Sequence, residues 1–254
     1  MRTNGSGHVE RQGTKRSVTA KEQKRERDPL LAAICHDLRA PLAAVTMGAN
    51  FVLQTTERDD ANARSVRILD AMLRSCAQME RLIRNFGDLS EIESDTLTLH
   101  LGTHDAGEMA ELAGAAIAGA ARARSVVVEL QKPAAPVTTT CDRERILCAL
   151  AHVLDNAVRA APVESTVTIS ITGPADHVCF AVTDRGAGLS DELRPNVFDR
   201  QWLGRRTDRS GPGYGLAIAR GFLEAHGGGI ALAPRSGNET TFTLSIPQNG
   251  PTNA

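Results

Sequence analysis

The feature that most constrains the fold is a change of period near Ile92. Before it, apolar residues recur every three or four positions. After it, segments of alternating residues appear between helical stretches. A chain that switches period in this way must build a helical part and a layered part. Leu30, Leu31, Ile34, Leu38, Leu42, Val45, Ala49 and Val52 form the first stripe, which ends in the polar stretch from Thr55 to Asp60. Val66, Leu69, Leu73, Cys76, Met79, Leu82 or Ile83, Phe86 and Leu89 form the second. Two helices joined by so short a loop make an antiparallel hairpin. The stripes are too wide for a solvated hairpin, so a second copy is expected to cover them in a four-helix-bundle homodimer. The alternative is a hairpin packed on its own C-terminal domain.

Beyond Ile92, residues 105–123 read as a helix and Ser125–Leu130 as a strand. Asp142–Ala161 reads as a helix capped near Cys141–Asp142. Two strands, Thr166–Thr172 and His177–Thr183, follow around a Gly-Pro-Ala-Asp turn. Tyr214–His226 reads as a helix ended by Gly227–Gly229. Ile230–Leu232 and Thr240–Ile246 close the domain. This order gives an α+β chain with helices on one face of a mixed sheet.

The first 28 residues are polar and carry a basic excess, so they cannot bury a core. Aromatics make up only 3% of the 254 residues, so the core must come from Leu, Val, Ile and Ala. The net charge of -1 gives no pull toward nucleic acid or membrane. Five scattered cysteines without a C-x-x-C pair fit reduced thiols. No apolar run approaches the roughly 20 residues of a membrane span. These features predict a soluble, cytoplasmic protein without a secretory signal.

Four places carry candidate chemistry. His36 lies about 200° round the helix from Ile34, off the apolar stripe, with Asp37 beside it. A carboxylate on one ring N–H leaves the other nitrogen's lone pair for attack. Asn156, in Leu154-Asp155-Asn156-Ala157-Val158-Arg159, offers a hard oxygen of the kind magnesium prefers. Arg159, one turn on, can meet a phosphate. Asp184-Arg185-Gly186-Ala187-Gly188 follows a strand, and its carboxylate can accept from an exocyclic amine. Gly211-Pro212-Gly213-Tyr214-Gly215-Leu216 opens a helix, where backbone N–H groups and the helix dipole favour phosphate. Each has a bland alternative: an inert surface histidine, a solvated asparagine, ordinary glycine turns. Their order is more informative than any one of them.

In that order they resemble the two-component sensor histidine kinases. His36-Asp37-Leu38-Arg39-Ala40-Pro41-Leu42 looks like the H box, and Leu154-Asp155-Asn156-Ala157 like the N box. Asp184 to Gly188 looks like the G1 box. Val197-Phe198-Asp199-Arg200-Gln201-Trp202 looks like the F box, and Gly211 to Leu216 like the G2 box.

The resemblance implies a polar tail (1–24), a dimerisation and phosphotransfer hairpin (25–97), a Bergerat-type α/β-sandwich ATP-binding domain (98–248) and a short tail (249–254). It implies that ATP and Mg²⁺ are used to phosphorylate His36, with Asp37 as orienter and proton acceptor. Asn156 would hold Mg²⁺, and Asp184 would read the adenine amine. Arg159, Gly186, Gly188, Arg200, Gly211, Gly213, Gly215 and Leu216 would complete the ATP site. The phosphoryl group would pass to an aspartate in a response-regulator receiver domain. A separate sensory protein is a further candidate partner. His152, Ala160 and Gln201 depart from the family pattern. They keep open a second reading, a dimeric phosphotransfer or scaffold protein with a degraded nucleotide site.

Overall fold

The computed structural model describes residues 35, 38–56, 62–173, 176–190, 194–199, 214–234 and 238–251. The chain divides into two compact units, Met1–Thr96 and Leu97–Ala254.

The first unit contains helix α1 (residues 38–55) and helix α2 (Ala63–Glu93). Cys35 and Leu42 stand seven residues apart, as do Cys76 and Ile83. Each pair therefore shares one helix face, and these four residues with Phe86 form a single buried cluster. α2 ends in a Schellman turn. Asp95 takes φ 56°, its N–H donates to the Ile92 carbonyl, and the Thr96 N–H donates to Glu91.

The second unit is a two-layer sandwich. Its elements are β1 (Gly102–Asp105), α3 (Ala106–Ala123), β2 (Val127–Gln131), β3 (Thr138–Cys141) and α4 (Arg143–Ala160). They continue through β4 (Thr166–Thr172), β5 (His177–Asp184), a 3-10 turn at Arg194–Asn196, α5 (Gly215–Ala225), β6 (Gly229–Leu232) and β7 (Thr240–Pro247). Five strands run in the order β2-β4-β5-β7-β6, and β1 pairs with β3 separately. Only β2 with β4 is parallel within the larger sheet.

Strict alternation along β4, β5 and β7 sends Val167, Ile169, Ile171, Val178, Phe180, Val182, Phe242, Leu244 and Ile246 into the core. The helices meet them with their own stripes, Ile146, Leu150, Val153 and Leu154 on α4, and Leu216, Ala219 and Leu223 on α5. With so few aromatics, Phe180, Phe222 and Phe242 are among the largest fully buried side chains. Burial of each is worth about 1.5–3 kcal/mol.

Within the described residues the predicted helices and most strands stand where the sequence placed them, with ends moved by one or two residues; the polar tail and Leu30, Leu31 and Ile34 of the first stripe lie outside the described residues. β1 and β3 were not anticipated as a pair. Gly-Thr-His-Asp and Thr-Thr-Thr-Cys carry little apolar alternation, and their pairing (Gly102 to Cys141, Asp105 to Thr138) is set by tertiary contact. Among the described residues, no helix is long and apolar enough to cross a membrane.

Candidate functional site

Asp142 caps α4 through its Oδ1, which accepts from the Arg145 N–H at 3.1 Å. The helix then carries His152, Asn156 and Ala160 at intervals of four, along one side. Two other elements come to that side. The loop after β5 reaches the end of α4, where a Cβ built on Gly186 would lie 2.5 Å from the Ala160 carbonyl oxygen. The start of α5 reaches its middle, where a Cβ on Gly215 would lie 2.8 Å from His152 Nδ1. Both positions accept only glycine without displacing a neighbour. The fold thus brings the candidates at 156, 184–188 and 215–216 around one helix.

Asp184 ends β5 and is 1% exposed. Its Oδ1 accepts from the Gly186 N–H at 2.8 Å. Its Oδ2 is buried and, among the described residues, has no hydrogen-bond partner. Burial pushes the Asp184 carboxyl above its usual value of 3.8, and the Gly186 bond opposes the shift. A buried acceptor without a partner destabilises a fold, and a ligand amine would satisfy it. Gly188 follows with φ 74°, a left-handed turn that leaves open space beyond it. Arg185 pairs with Glu239 at 3.2 Å and ties this loop to the approach to β7.

Asn156 is half-buried on α4. Arg159 forms an ion pair with Asp155 at 2.8 Å. Leu216 is buried beneath the first turn of α5. Phe198 meets Phe242 edge-on at 6.0 Å, anchoring the segment after β5 to the core. His36, Asp37, Arg200, Gly211, Gly213 and Gln201 lie outside the described residues.

The donor set fits adenosine triphosphate with magnesium. An orphaned carboxylate oxygen stands ready for an amine, and glycine-only contacts line the approach. Among the described residues no cluster of three or more His, Cys, Asp or Glu side chains is placed to hold a metal. Magnesium does not require such a cluster, because it keeps several waters and prefers hard oxygens, and the amide oxygen of Asn156 is of that kind.

A network that sequence reasoning missed lies at the other end of α4. Asp142 and His226 are both buried. The Asp142 N–H donates to His226 Nε2 at 3.0 Å, and His226 Nδ1 donates to the Phe222 carbonyl at 2.6 Å. Asp142 Oδ2 also accepts from the His100 N–H at 2.8 Å. The capping signal at Asp142 was visible in the sequence, but its partners, 42 and 84 residues away, were not.

Comparison with known families agrees with this geometry. The Histidine kinase-, DNA gyrase B-, and HSP90-like ATPase family matches residues 141–250. That family alone covers several kinds of protein. The His Kinase A (phospho-acceptor) domain family matches residues 26–95, upstream of it. This chain belongs to the sensor histidine kinases. Among its relatives, it is 27% identical over 231 residues to the sensor protein KdpD of Clostridium acetobutylicum, covering 89% of this chain and 25% of that one. It is 27% identical over 233 residues to the sensor protein DivL of Caulobacter vibrioides, covering 92% and 30% respectively. The chain thus spans less than a third of the length of either. The fold matches that of full-length ShkA in complex with AMPPNP, with a TM-score of 0.71 at 21% identity, over 89% of this chain and 46% of that one.

Proposed function

We propose that this histidine kinase chain is an ATP-dependent autokinase that phosphorylates His36 and hands the phosphoryl group to an aspartate of a response-regulator receiver domain. The observation that carries the reading is the buried Oδ2 of Asp184, which has no hydrogen-bond partner among the described residues, at the edge of a glycine-lined approach. A degraded site has no reason to keep a buried carboxylate that destabilises the fold. Retention of Asn156, Gly186 and Gly215 around it supports the same reading.

Residues 98–248 would form the catalytic domain and 25–97 the phosphotransfer hairpin. Asp184 accepts from the adenine amine and fixes the base. Gly186 and Gly188 let the base approach the backbone. Gly211, Gly213, Gly215 and Leu216 would cradle the phosphates, with the N-terminus of α5 contributing its dipole. Arg159 and Arg200 supply positive charge near them. Asn156 would hold Mg²⁺, which neutralises phosphate charge when bound. His36 attacks the γ-phosphorus in line, the bond to the bridging oxygen breaks, and ADP leaves with that electron pair. Asp37 orients the imidazole and takes the proton that the ring loses. The protein's own work is positioning and charge compensation.

The hairpin supports a homodimer. Beside the buried stripe of Cys35, Leu42 and Ala49, the residues Leu38, Val45 and Val52 stand exposed at the same seven-residue interval. Ile68, Met72 and Met79 stand exposed on α2. A second copy would bury both rows in a four-helix bundle. None of the five cysteines forms a disulfide, in keeping with a reducing cytoplasm.

Incubation with ATP labelled in its γ-phosphate tests the reading. Acid-labile, base-stable label on wild type, lost in His36→Gln and Asn156→Ala, is the expected result. Absence of label on wild type with ample ATP and Mg²⁺ would point instead to the scaffold reading.

A further inference from the structure

Among the described residues β2 is an edge strand of the larger sheet, paired only with β4. The Val127 N–H donates to the Ser165 carbonyl at 3.0 Å, so residue 127 and, by alternation, 129 and 131 turn their backbone groups toward β4. The N–H and C=O groups of Val128 and Leu130 therefore lie along the open edge. Natural edges are commonly blunted by proline, lysine or an inward charge. β2 itself carries none of these. Its one charged residue, Glu129, stands on the face away from the helices, as the alternating burial of the strand shows.

The side chains of Val128 and Leu130 point to the helix layer yet are only half-buried. The reason is the helix opposite. α3 presents Gly114, Ala115 and Ala118 there, too small to fill the space, and Ile169 forms the floor. A Cβ on Gly114 would stand 3.9 Å from both Ile169 Cδ1 and Val128 Cγ1, in ordinary contact. The result is an open, mainly apolar groove of about 730 Å³ running beside the free edge. That volume lies in the range of binding pockets, about 300–1,000 Å³.

The groove has a sign. Arg122, at the end where the chain enters β2, is exposed and has no ion pair among the described residues. Lys132, at the other end, is matched by Glu111 at 2.5 Å. One cation is left over at one end.

We propose that the free edge of β2 and the adjoining groove dock an extended segment of a partner protein, with alternate apolar side chains and an acidic residue at one end. The segment adds as a sixth strand, hydrogen-bonding to Val128 and Leu130. Its apolar side chains enter the groove, and its carboxylate meets Arg122. The proposal does not depend on the kinase reading, since no residue of the nucleotide site takes part.

The test uses the whole chain and an array of fluorescein-labelled octapeptides in which Val or Leu alternates with Thr and one end carries two Asp. Fluorescence anisotropy should show saturable binding by members of the array. Proline at the edge-pairing positions should abolish it, and Lys in place of Asp should weaken it about tenfold. Gly114→Leu fills the groove and should also weaken binding at least about tenfold, while ATP binding stays unchanged and reports an intact fold. Arg122→Glu, an exposed change that does not touch the core, should reverse the preference for Asp over Lys ends. Failure of every peptide to bind overturns the proposal. So does binding indifferent to proline, or unchanged in both Gly114→Leu and Arg122→Glu. Saturation by sodium dodecanoate with no peptide bound would assign the groove to a lipid-like anion instead, and overturns it equally.

Discussion

The Gly186 N–H donates to Oδ1 of Asp184 at 2.8 Å, so one carboxylate oxygen serves the loop and the other, Oδ2, is buried without a partner among the described residues. The division of labour gives a sharp mutational test. An amide has one acceptor oxygen. In Asp184→Asn that oxygen can satisfy Gly186 or the adenine amine, but not both. Loss of a hydrogen bond to a charged group costs about 1.5–3 kcal/mol, so ATP affinity by calorimetry should fall roughly ten- to a hundredfold. Stability should move the other way. Burial raises the Asp184 carboxyl, and an acid with a raised folded value destabilises the fold once ionised. That cost is absent below the unfolded value of 3.8 and complete above the folded one. The Asn variant without nucleotide should therefore melt no lower than wild type at neutral pH.

His226 predicts a second pH effect, of the same origin and the opposite sign. The imidazole donates through Nδ1 and accepts through Nε2, so it is held neutral. Burial lowers its value below 6.5, while the Phe222 bond and the Asp142 charge pull it up. Protonation would set N–H against N–H at Asp142. A base with a lowered folded value stabilises the fold above the unfolded value of 6.5, and that stability is lost as pH falls toward the folded value. Melting temperature should drop as pH falls below about 6.5, and the slope should flatten in His226→Gln. A slope unchanged in that variant would assign it to other groups.

Glycine positions in α3 should report on backbone entropy. Gly114 has ordinary contact at the Cβ position, and Gly119 has none within 4 Å. Alanine at either should stabilise by about 0.5–1 kcal/mol. Gly228 is the contrasting case, because a Cβ there would lie 2.0 Å from the Ser245 carbonyl oxygen. Gly228→Ala should destabilise by about 1–3 kcal/mol. Denaturant midpoints on the three variants check both signs together.

The exposed rows on the hairpin make an assembly prediction. Val45→Glu with Met72→Glu places two charges on the surface that a second copy would bury. Sedimentation should show a dimer for wild type and a monomer for the double variant. Helix content should hold, since neither residue belongs to the buried cluster of Cys35, Leu42, Cys76 and Ile83.

What the sequence made legible was whatever has a period or a local stop. Alternation along Thr166–Thr172 gave β4 its exact bounds. Asp142 announced α4, and Gly227 ended α5 with φ 73°. Asp95 and Ser125 close their helices with the same left-handed turn, yet neither announces it, because the residue type that favours that turn is glycine. β1 and β3 stayed hidden because four polar residues exist as strands only once paired. At the site, the candidates at 156, 184 and 215 were named from motif order alone. Their meeting along His152, Asn156 and Ala160 needed the packing of α4 against its neighbours. The groove beside β2 was invisible, since small residues on a helix signal nothing until the strand opposite them is known to be an edge.

The triple engagement of Asp142 has a mechanical reading. Its side chain closes the first turn of α4 and grips the backbone at His100, and its backbone N–H donates to His226 at the C-terminal end of α5. The stretch by which the chain enters the sandwich is thus fastened to the root of the helix that bears Asn156. Loosening at residue 100 would remove one of the two hydrogen bonds that hold the capping carboxylate in place. Strain arriving along the backbone from the N-terminal side would be felt as a change in helix order rather than dissipated in a slack tether.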